Sequence, residues 1–197
     1  RREPDAVKTL EAFHCFPEFD VFGRELDSDM ACTELIARRQ PTARDLRLVM
    51  AVSKAITNLE RAGDEAERVA KRTKRLIEAG ATHNINVAEI RLSGQMAISL
   101  LRRSLDAFAR LDTIAAAEVV QEDRQIDEEF RGFVRKLISY MMEDPRYITR
   151  VLNVLWVLRG LERIGDHATN VAEMVYFAAT GLYHSDRDLP GGNEKVI

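Results

Sequence analysis

The sequence predicts an all-α protein of two similar halves, each a three-helix bundle. Three observations support this fold class. Apolar residues after residue 40 recur at intervals of three and four, the period of an amphipathic helix. Proline, glycine or a polar break stands where each periodic segment begins or ends. No segment alternates polar and apolar residues over a useful length, so no β-sheet is expected.

The periodicity predicts four long helices after residue 40. Their expected ranges are, in order, 41–80, 86–111, 113–143 and 146–180. Pro41 opens the first helix and Gly181 closes the fourth, in agreement with the preference for proline at helix starts and glycine just past helix ends. The last residues, 182–197, are predicted to form a flexible polar tail.

An internal repeat relates the first and fourth of these helices. Residues 46–70 align without gaps on residues 148–172 at an offset of 102. Within this window Leu59-Glu60-Arg61-Ala62-Gly63-Asp64 matches Leu161-Glu162-Arg163-Ile164-Gly165-Asp166. Two unrelated amphipathic helices would not readily share Leu-Glu-Arg-x-Gly-Asp, so the chain is interpreted as a duplication. The predicted domains are a first bundle over 1–80 and a second over 84–181.

The two halves are not equal in length. Only 40 residues precede Pro41, against about 59 between Asn86 and Pro145. The early stretch also contains Pro4 and Pro17, which disfavour a continuous helix. The first bundle is therefore expected to have a shortened or irregular first helix.

Composition argues against several classes of protein. A net charge of −3 and a pI near 5.9 argue against nucleic acid as the main partner. The longest strongly apolar stretch, 151–158, is too short to span a bilayer, and the first residues show no secretory signal. Cys15 and Cys32 form no CxxC motif and fit a reducing compartment. These features predict a soluble cytoplasmic protein.

Two pairs of acidic residues carry the strongest functional signal. Glu60 with Asp64, and Glu162 with Asp166, are four residues apart, so each pair lies on one face of its helix. Such like charges cost about 0.2–0.5 kcal/mol per pair, and the glycine inside each motif adds about 1 kcal/mol relative to alanine. Both penalties occur twice, which indicates a compensating role. A multivalent cation held between facing helices would supply one.

Further oxygen ligands stand at helical spacing from these pairs. Asp123 and Asp127 are four residues apart on the helix that precedes Glu162. Asn170 continues the second stripe by another four residues, as a neutral ligand or an orienting group. The glycine in each motif is expected to let a neighbouring backbone approach. In the first half the matching segment is 23–27, where Gly23 replaces the first acid and Asp27 remains, so the first site is predicted to be weaker.

Other interpretations of these acids stay open. Acids at this spacing are common on solvated helices, and Arg61 and Arg163 could neutralise them in a metal-free scaffold. His167 follows Asp166 but is turned about 100° around the helix, which favours a hydrogen-bonded or solvent-facing histidine over a metal ligand. A di-metal oxidase of the ferritin type needs two Glu-x-x-His pairs. The sequence offers Glu11 with His14, without a mate.

The segment from Leu161 to Glu173 resembles the signature of the PhoU family of phosphate-transport accessory proteins. Residues 37–41, 45–47 and 59–64 resemble the first repeat of that family, and residues 140–146 resemble its second-repeat corner. The resemblance covers about residues 24–181.

This resemblance implies two tandem three-helix bundles, usually dimeric, that bind metal clusters through E/D-xxx-D motifs. The ions expected are divalent or trivalent, with Fe, Mn, Zn or Mg as candidates. The matching positions are Glu60, Asp64, Asp123, Asp127, Glu162 and Asp166, with Asp27 as a surviving half-motif.

The resemblance also implies a cytoplasmic negative regulator of phosphate uptake and of the phosphate-starvation regulon. Such a regulator links the ATPase of the phosphate transporter to a sensor histidine kinase. It reaches the membrane only through these partners, and neither catalysis nor nucleic-acid binding is implied. The sequence agrees, because it contains no phosphate-cradling glycine loop and no evident nucleophile set.

Overall fold

The computed structural model describes residues 21–78 and 87–182 of the 197-residue chain. Five α-helices account for nearly all of these residues: α1 (Val21–Arg39), α2 (Ala43–Glu78), α3 (Val87–Arg110), α4 (Thr113–Glu143) and α5 (Ile148–Thr180). A short 3₁₀ helix, Pro145–Tyr147, precedes α5. No strand occurs within the described ranges, and the predicted all-α fold class is confirmed.

The helix ends follow from identifiable capping groups. The Asp112 carboxylate accepts hydrogen bonds from the amides of Ile114 and Ala115 at 3.0 and 3.1 Å, which starts α4 at the predicted residue. Gly181 ends α5 in the left-handed region at φ 83° and donates its N–H to the Phe177 carbonyl at 2.8 Å. The predicted end of the first long helix at Ala79-Gly80, the irregular segment before residue 21 and most of the tail lie outside the described residues.

A tight corner centred on Asp144 joins α4 to α5. Its amide donates to the Tyr140 carbonyl at 3.3 Å and closes α4. Its carboxylate accepts the Arg146 amide at 2.9 Å and pairs with the Arg146 guanidinium at 2.8 Å. These bonds hold the pKa of Asp144 below its ordinary value. The chain therefore reverses within a few residues, and α4 and α5 pack as antiparallel neighbours.

The second half is a three-helix bundle, because α3, α4 and α5 pack against one another in pairs. Its interior is made of small and branched apolar side chains. One cluster contains Leu100, Ala107, Ala116, Val119, Val120, Ile126, Ala168, Ala172 and Val175. A second cluster, nearer the Asp144 corner, joins α4 and α5 to the end of α2. The burial of these faces fixes how α4 lies on α5.

The two duplicated helices, α2 and α5, form a long antiparallel pair. Ala51 near the start of α2 packs with Met174 near the end of α5, and Leu76 packs with Val151 at the opposite end. Midway, Ala62 shares a buried cluster with Ile164, its own equivalent in the repeat. Contact between equivalent residues places an approximate twofold axis beside this pair. Both acidic motifs therefore lie near the middle of the protein.

The first half shows two helices, with α1 packed on α2. Ser53 of α2 donates its hydroxyl proton to the Asp29 carboxylate of α1 at 2.7 Å. Large apolar side chains on α1 stay exposed, with Leu26 at 56% and Met30 at 63%. A helix equivalent to α3 is not among the described residues of this half. In the described part of the chain, no helix is both long and apolar enough to cross a bilayer.

Candidate metal centre

Three carboxylates converge between α4 and α5. Oxygen atoms of Asp127, Glu162 and Asp166 all lie within 4.8 Å of one another. Oxygens bonded at about 2.4 Å to one ion can be about 4.8 Å apart when they lie on opposite sides of it. An ion with bonds of about 2.1 Å requires them within about 4.2 Å, a tighter limit than the 4.8 Å that the three carboxylates meet. The donor set and spacing therefore fit a single hard cation.

Glu162 is the most perturbed member of this cluster. Its side chain is 11% exposed, and its pKa is raised to about 7, with burial as the largest cause. The Asp166, Asp127 and Asp123 carboxylates add to this rise in pKa, while the Arg159 guanidinium opposes it. Arg159 donates to Oε1, whereas Oε2 is buried without a hydrogen-bond partner in the described structure. A buried oxygen without a partner is costly, and a bound cation would satisfy it.

Gly165 explains how a fourth acid approaches. A Cβ atom at this position would lie 3.0 Å from Asp123 Oδ1 and 3.8 Å from a Leu100 methyl group. Glycine therefore leaves room for the Asp123 carboxylate beside α5. The sequence predicted that this glycine admits a neighbouring backbone, and that expectation is wrong, because the group in contact is a side chain.

The first acid pair has a different environment. Burial raises the pKa of Glu60, with further contributions from the charges of Asp64 and Glu25, while nearby arginines oppose the rise. The Asp64 carboxylate lies 3.8 Å from the Arg68 guanidinium on the next turn of α2. Asp64 and Arg68 are each 55% exposed. The guanidinium of Arg68 therefore supplies a positive charge to the Glu60 and Asp64 pair.

Asp27 belongs to no group of three converging carboxylates within the described residues. The α1 carboxylate close enough to raise the pKa of Glu60 is that of Glu25. Because a helix turns about 100° per residue, Asp27 projects from a different side of α1, and its side chain is exposed. Asp27 as a metal ligand stays a prediction, and Glu25 is a second α1 carboxylate near the first acid pair.

Asn170 and His167 both meet Asn58 of α2. The Asn58 carbonyl oxygen accepts from Asn170 Nδ2 at 3.1 Å and lies 3.1 Å from His167 Nδ1. The prediction of a hydrogen-bonded His167 is confirmed. Burial lowers its pKa, as does the charge of Arg163, so the neutral Nδ1–H tautomer donates to Asn58. Asn170 is used in this contact between the two long helices.

One charged residue near the centre was missed by sequence reasoning. Glu65 is 5% exposed, accepts a hydrogen bond from Arg68 at 2.6 Å and forms an ion pair with Arg163 at 2.8 Å. Arg163 thus neutralises Glu65, a role not foreseen for it. The repeat alignment could have drawn attention to Glu65, because it pairs this acid with the uncharged His167 at the equivalent position.

The ferritin-type interpretation gains no support from the site. The pair Glu11 and His14 lies outside the described residues. His167 is bonded to Asn58 and is not a member of the acid cluster. The converging ligands among the described residues are therefore three carboxylates, a donor set that suits hard cations.

Comparison with known proteins agrees with this architecture. The PhoU domain family matches residues 20–73 and 90–175. A Burkholderia protein named phosphate-specific transport system accessory protein PhoU homolog is 51% identical over 158 residues, which cover 80% of this chain and 67% of that protein. The Escherichia coli K12 protein named phosphate-specific transport system accessory protein PhoU is 42% identical over 157 residues, with 80% and 64% coverage.

Solved structures show the same fold. The crystal structure of PhoU from Pseudomonas aeruginosa aligns with a TM-score of 0.80 at 42% identity, over 89% of this chain and 81% of that one. A phosphate transport system regulatory protein from Streptococcus pneumoniae aligns at 0.74, and its 24% identity supports the fold alone. The chain spans about two thirds of the length of its curated relatives, from 61 to 67% among the first three. Their names describe an accessory protein and no reaction, in agreement with the prediction of a non-enzymatic protein.

Proposed function

This chain belongs to the PhoU domain family, and from that premise we propose that it is a cytoplasmic negative regulator of phosphate uptake and of the phosphate-starvation regulon. The support is the naming of relatives up to 51% identical as accessory proteins of a phosphate-specific transport system. The chain would act by binding other proteins, because the names of these relatives describe an accessory protein and no reaction.

The proposed partners are the ATPase subunit of the phosphate transporter and the sensor histidine kinase of the regulon. The chain would couple the two and reach the membrane through them, and it would itself form a homodimer. The exposed apolar residues on α1, among them Leu26 and Met30, are compatible with protein contacts, because large apolar surfaces favour association.

The proposed metal site comprises Asp127, Glu162 and Asp166, with Asp123 at its edge. The observation that carries this proposal is the convergence of three carboxylates within 4.8 Å around a buried, unpartnered oxygen of Glu162. A divalent or trivalent ion, with Fe, Mn, Zn and Mg as candidates, would neutralise the repelling acids. It would thereby tie α4 to α5 and stiffen the bundle that partners meet.

Elemental analysis tests the metal site directly. Protein purified without added metal, and again after incubation with Mn²⁺, Fe²⁺ or Zn²⁺ and gel filtration, should retain metal. The double variant Glu162→Ala with Asp166→Ala should lose most of it. If wild type and double variant retain equal amounts, or neither retains any, the chain is a metal-free scaffold at this site.

Complementation tests the regulatory role. In a strain that lacks its own regulator, expression of the chain should restore repression of phosphate-starvation genes in high phosphate. The transporter ATPase and the kinase should co-purify with it. Constitutive expression of the regulon despite a folded, abundant chain would contradict the regulatory proposal without bearing on the metal site.

A further inference from the structure

A polar pocket opens between α2 and α5, one to two helical turns from the acid cluster. It has a volume of about 280 Å³ and is lined by Ser53, Lys54, Thr57, Asn58, Arg61, Asn170, Glu173 and Met174. Two of these side chains are cationic and one is anionic, so the wall carries a surplus of one positive charge. A cation is therefore disfavoured as its occupant. No aromatic side chain is among the described lining residues, which gives a nucleobase or other flat ring nothing to stack on.

The lining offers several hydrogen-bond donors with capacity to spare. Asn58 Nδ2 donates one N–H to the Lys54 carbonyl at 2.9 Å, and Asn170 Nδ2 donates one to Asn58 Oδ1 at 3.1 Å. Each amide carries two N–H groups, so each retains one. Lys54, which already has a partner, adds an ammonium group with three N–H donors, and Arg61 adds a guanidinium with five. The hydroxyls of Ser53 and Thr57 already donate to Asp29 and to a backbone carbonyl.

Arg61 has a surplus charge that the repeat explains. Its equivalent, Arg163, is neutralised by the Glu65 carboxylate at 2.8 Å. The equivalent of Glu65 is His167, which is hydrogen-bonded to Asn58 and whose lowered pKa keeps it neutral. Among the described residues Arg61 makes no hydrogen bond or ion pair. The two arginines occupy equivalent places, but only Arg163 has a carboxylate within ion-pair distance among the described residues, whereas Glu60 acts on Arg61 from farther away.

The same comparison explains why space exists on this side of the axis. The equivalent of Asn58 is Gly160, and the Val69 side chain packs onto it so closely that a Cβ there would lie 2.5 Å from Val69 Cγ2. The equivalent of Val69 is Val171, which is fully buried in the second bundle. An aliphatic contact therefore fills the space beside Gly160, whereas the space beside the equivalent Asn58 is a polar pocket.

We propose that this pocket binds a tetrahedral phosphate group, as inorganic phosphate or a phosphate monoester, held by Arg61, Lys54 and the two asparagine amides. Four donors of this kind match the oxygens of an oxyanion, and charged donors form the strongest hydrogen bonds to it. The site is distinct from the acid cluster and needs no metal. It goes beyond the proposed regulatory role and does not depend on it.

Glu173 gives the pocket a means of choosing phosphate over sulfate. An ionised carboxylate only accepts hydrogen bonds. The monohydrogen phosphate dianion carries one P–OH that donates to such an acceptor, whereas the sulfate dianion has no proton and is repelled. A phosphate monoester in its monoanionic form also carries this proton. Selectivity for phosphate is thus expected to depend on Glu173 and affinity on Arg61.

Calorimetric titration of the chelator-treated 197-residue chain tests the proposal. Inorganic phosphate, glycerol 1-phosphate and sulfate are titrated in turn, and the metal-free state prevents binding of phosphate to an ion at the acid cluster. Saturable binding of phosphate or the monoester is expected in the millimolar range or tighter, with sulfate weaker. Comparison of the two phosphate arms shows which source the pocket prefers.

Substitutions locate the binding. Arg61→Gln should weaken phosphate binding by about tenfold or more, while the matched control Arg75→Gln, an exposed arginine on the same helix, should leave it unchanged. Glu173→Gln should reduce the preference for phosphate over sulfate. Lys54→Gln provides a second pocket variant should Arg61→Gln unfold, as judged by its thermal transition. Absence of saturable binding in the wild type, or equal loss in Arg75→Gln and the folded pocket variants, would overturn the proposal.

Discussion

The two halves of the molecule carry the same acid pair in different surroundings. In the first half Asp64 has the Arg68 guanidinium 3.8 Å away, one turn along α2. In the second half the position equivalent to Arg68 is Asn170, which is hydrogen-bonded to Asn58. The first pair faces Glu25 of α1, whereas the second faces Asp127 and Asp123 of α4. The two halves thus share the acid pair but differ in the charged residues that surround it.

This difference teaches that a motif alone does not define a binding site. Glu60 and Glu162 are equivalent in sequence, yet only the second lies in a cluster of three converging carboxylates within the described residues. The second also sits in a complete bundle, since α3 covers α5 on one side. The pKa of Glu162 is raised to about 7, mainly by burial, so a bound cation would stabilise its ionised form.

The largest expected contrast is in stability. Leu158→Ala removes a side chain that is 1% exposed in the α4–α5 core and should cost about 2–5 kcal/mol. The equivalent Ile56→Ala, at a partly exposed site in the first half, should cost less than about 2 kcal/mol. Urea unfolding followed by circular dichroism measures both. Equal losses would mean that the first half is packed as completely as the second.

Metal affinity should separate the halves next. Glu162→Gln with Asp166→Asn should weaken Mn²⁺ binding by about 100-fold, because two of the three converging ligands lose their charge. Glu60→Gln with Asp64→Asn should change it by less than about threefold if the second site dominates. Equilibrium dialysis of the two double variants provides the measurement. A larger loss from the first pair would reverse the assignment.

A pH dependence should follow from Glu162. Its pKa in the folded chain, about 7, lies above the ordinary value of 4.5, so between these values the folded state binds more protons than the unfolded state. The corresponding stability of the metal-free chain is fully present below pH 4.5 and is lost as pH rises through about 7. Glu162→Gln should therefore match the wild type near pH 4.5 and exceed it above pH 7 by about 1–3 kcal/mol. Chemical denaturation of both proteins across this range, in chelator, tests the difference. A constant difference at all pH values would show that Glu162 does not titrate in this way.

The smallest effect is expected from making the first half resemble the second. Arg68→Asn removes the exposed partner of Asp64 and one of two arginines on Glu65, with Arg163 remaining. The loss of stability should be about 0.5–1 kcal/mol, since exposed pairs contribute little. Thermal unfolding measures it, and Lys74→Asn on an exposed part of the same helix serves as control. A concurrent gain in metal binding by Glu60 and Asp64 would show that the Arg68 guanidinium had stood where a metal ion can bind.

Much of the fold was predictable because local rules fix helix ends. Asp112 and Gly181 mark their boundaries by capping, and α4 occupies the predicted range, 113–143. The acid cluster was predictable in outline, since i and i+4 spacing places both members of a pair on one face. The position of Glu25 near Glu60 was not, because it depends on how α1 is rotated against α2.

The central polar contacts were equally hidden from the sequence. Asn58 stands more than 100 residues before His167 and Asn170 in the chain and meets them because α2 and α5 run antiparallel about an approximate twofold axis. The burial of Glu65 depends on the same arrangement. Periodicity describes one helix at a time and carries no information on which side of a neighbouring helix a residue will meet.

The Asp144 corner sets the distance at which the acids meet. Asp127 stands 17 residues before Asp144 and Glu162 stands 18 residues after it, so the two helical arms are each about 25 Å long. An inserted or deleted residue in either arm would rotate its acid by about 100° and shift it by about 1.5 Å. Such a change would leave both helices intact while separating the carboxylates. The site thus depends on the number of residues between the Asp144 corner and each acid as much as on the identity of its ligands.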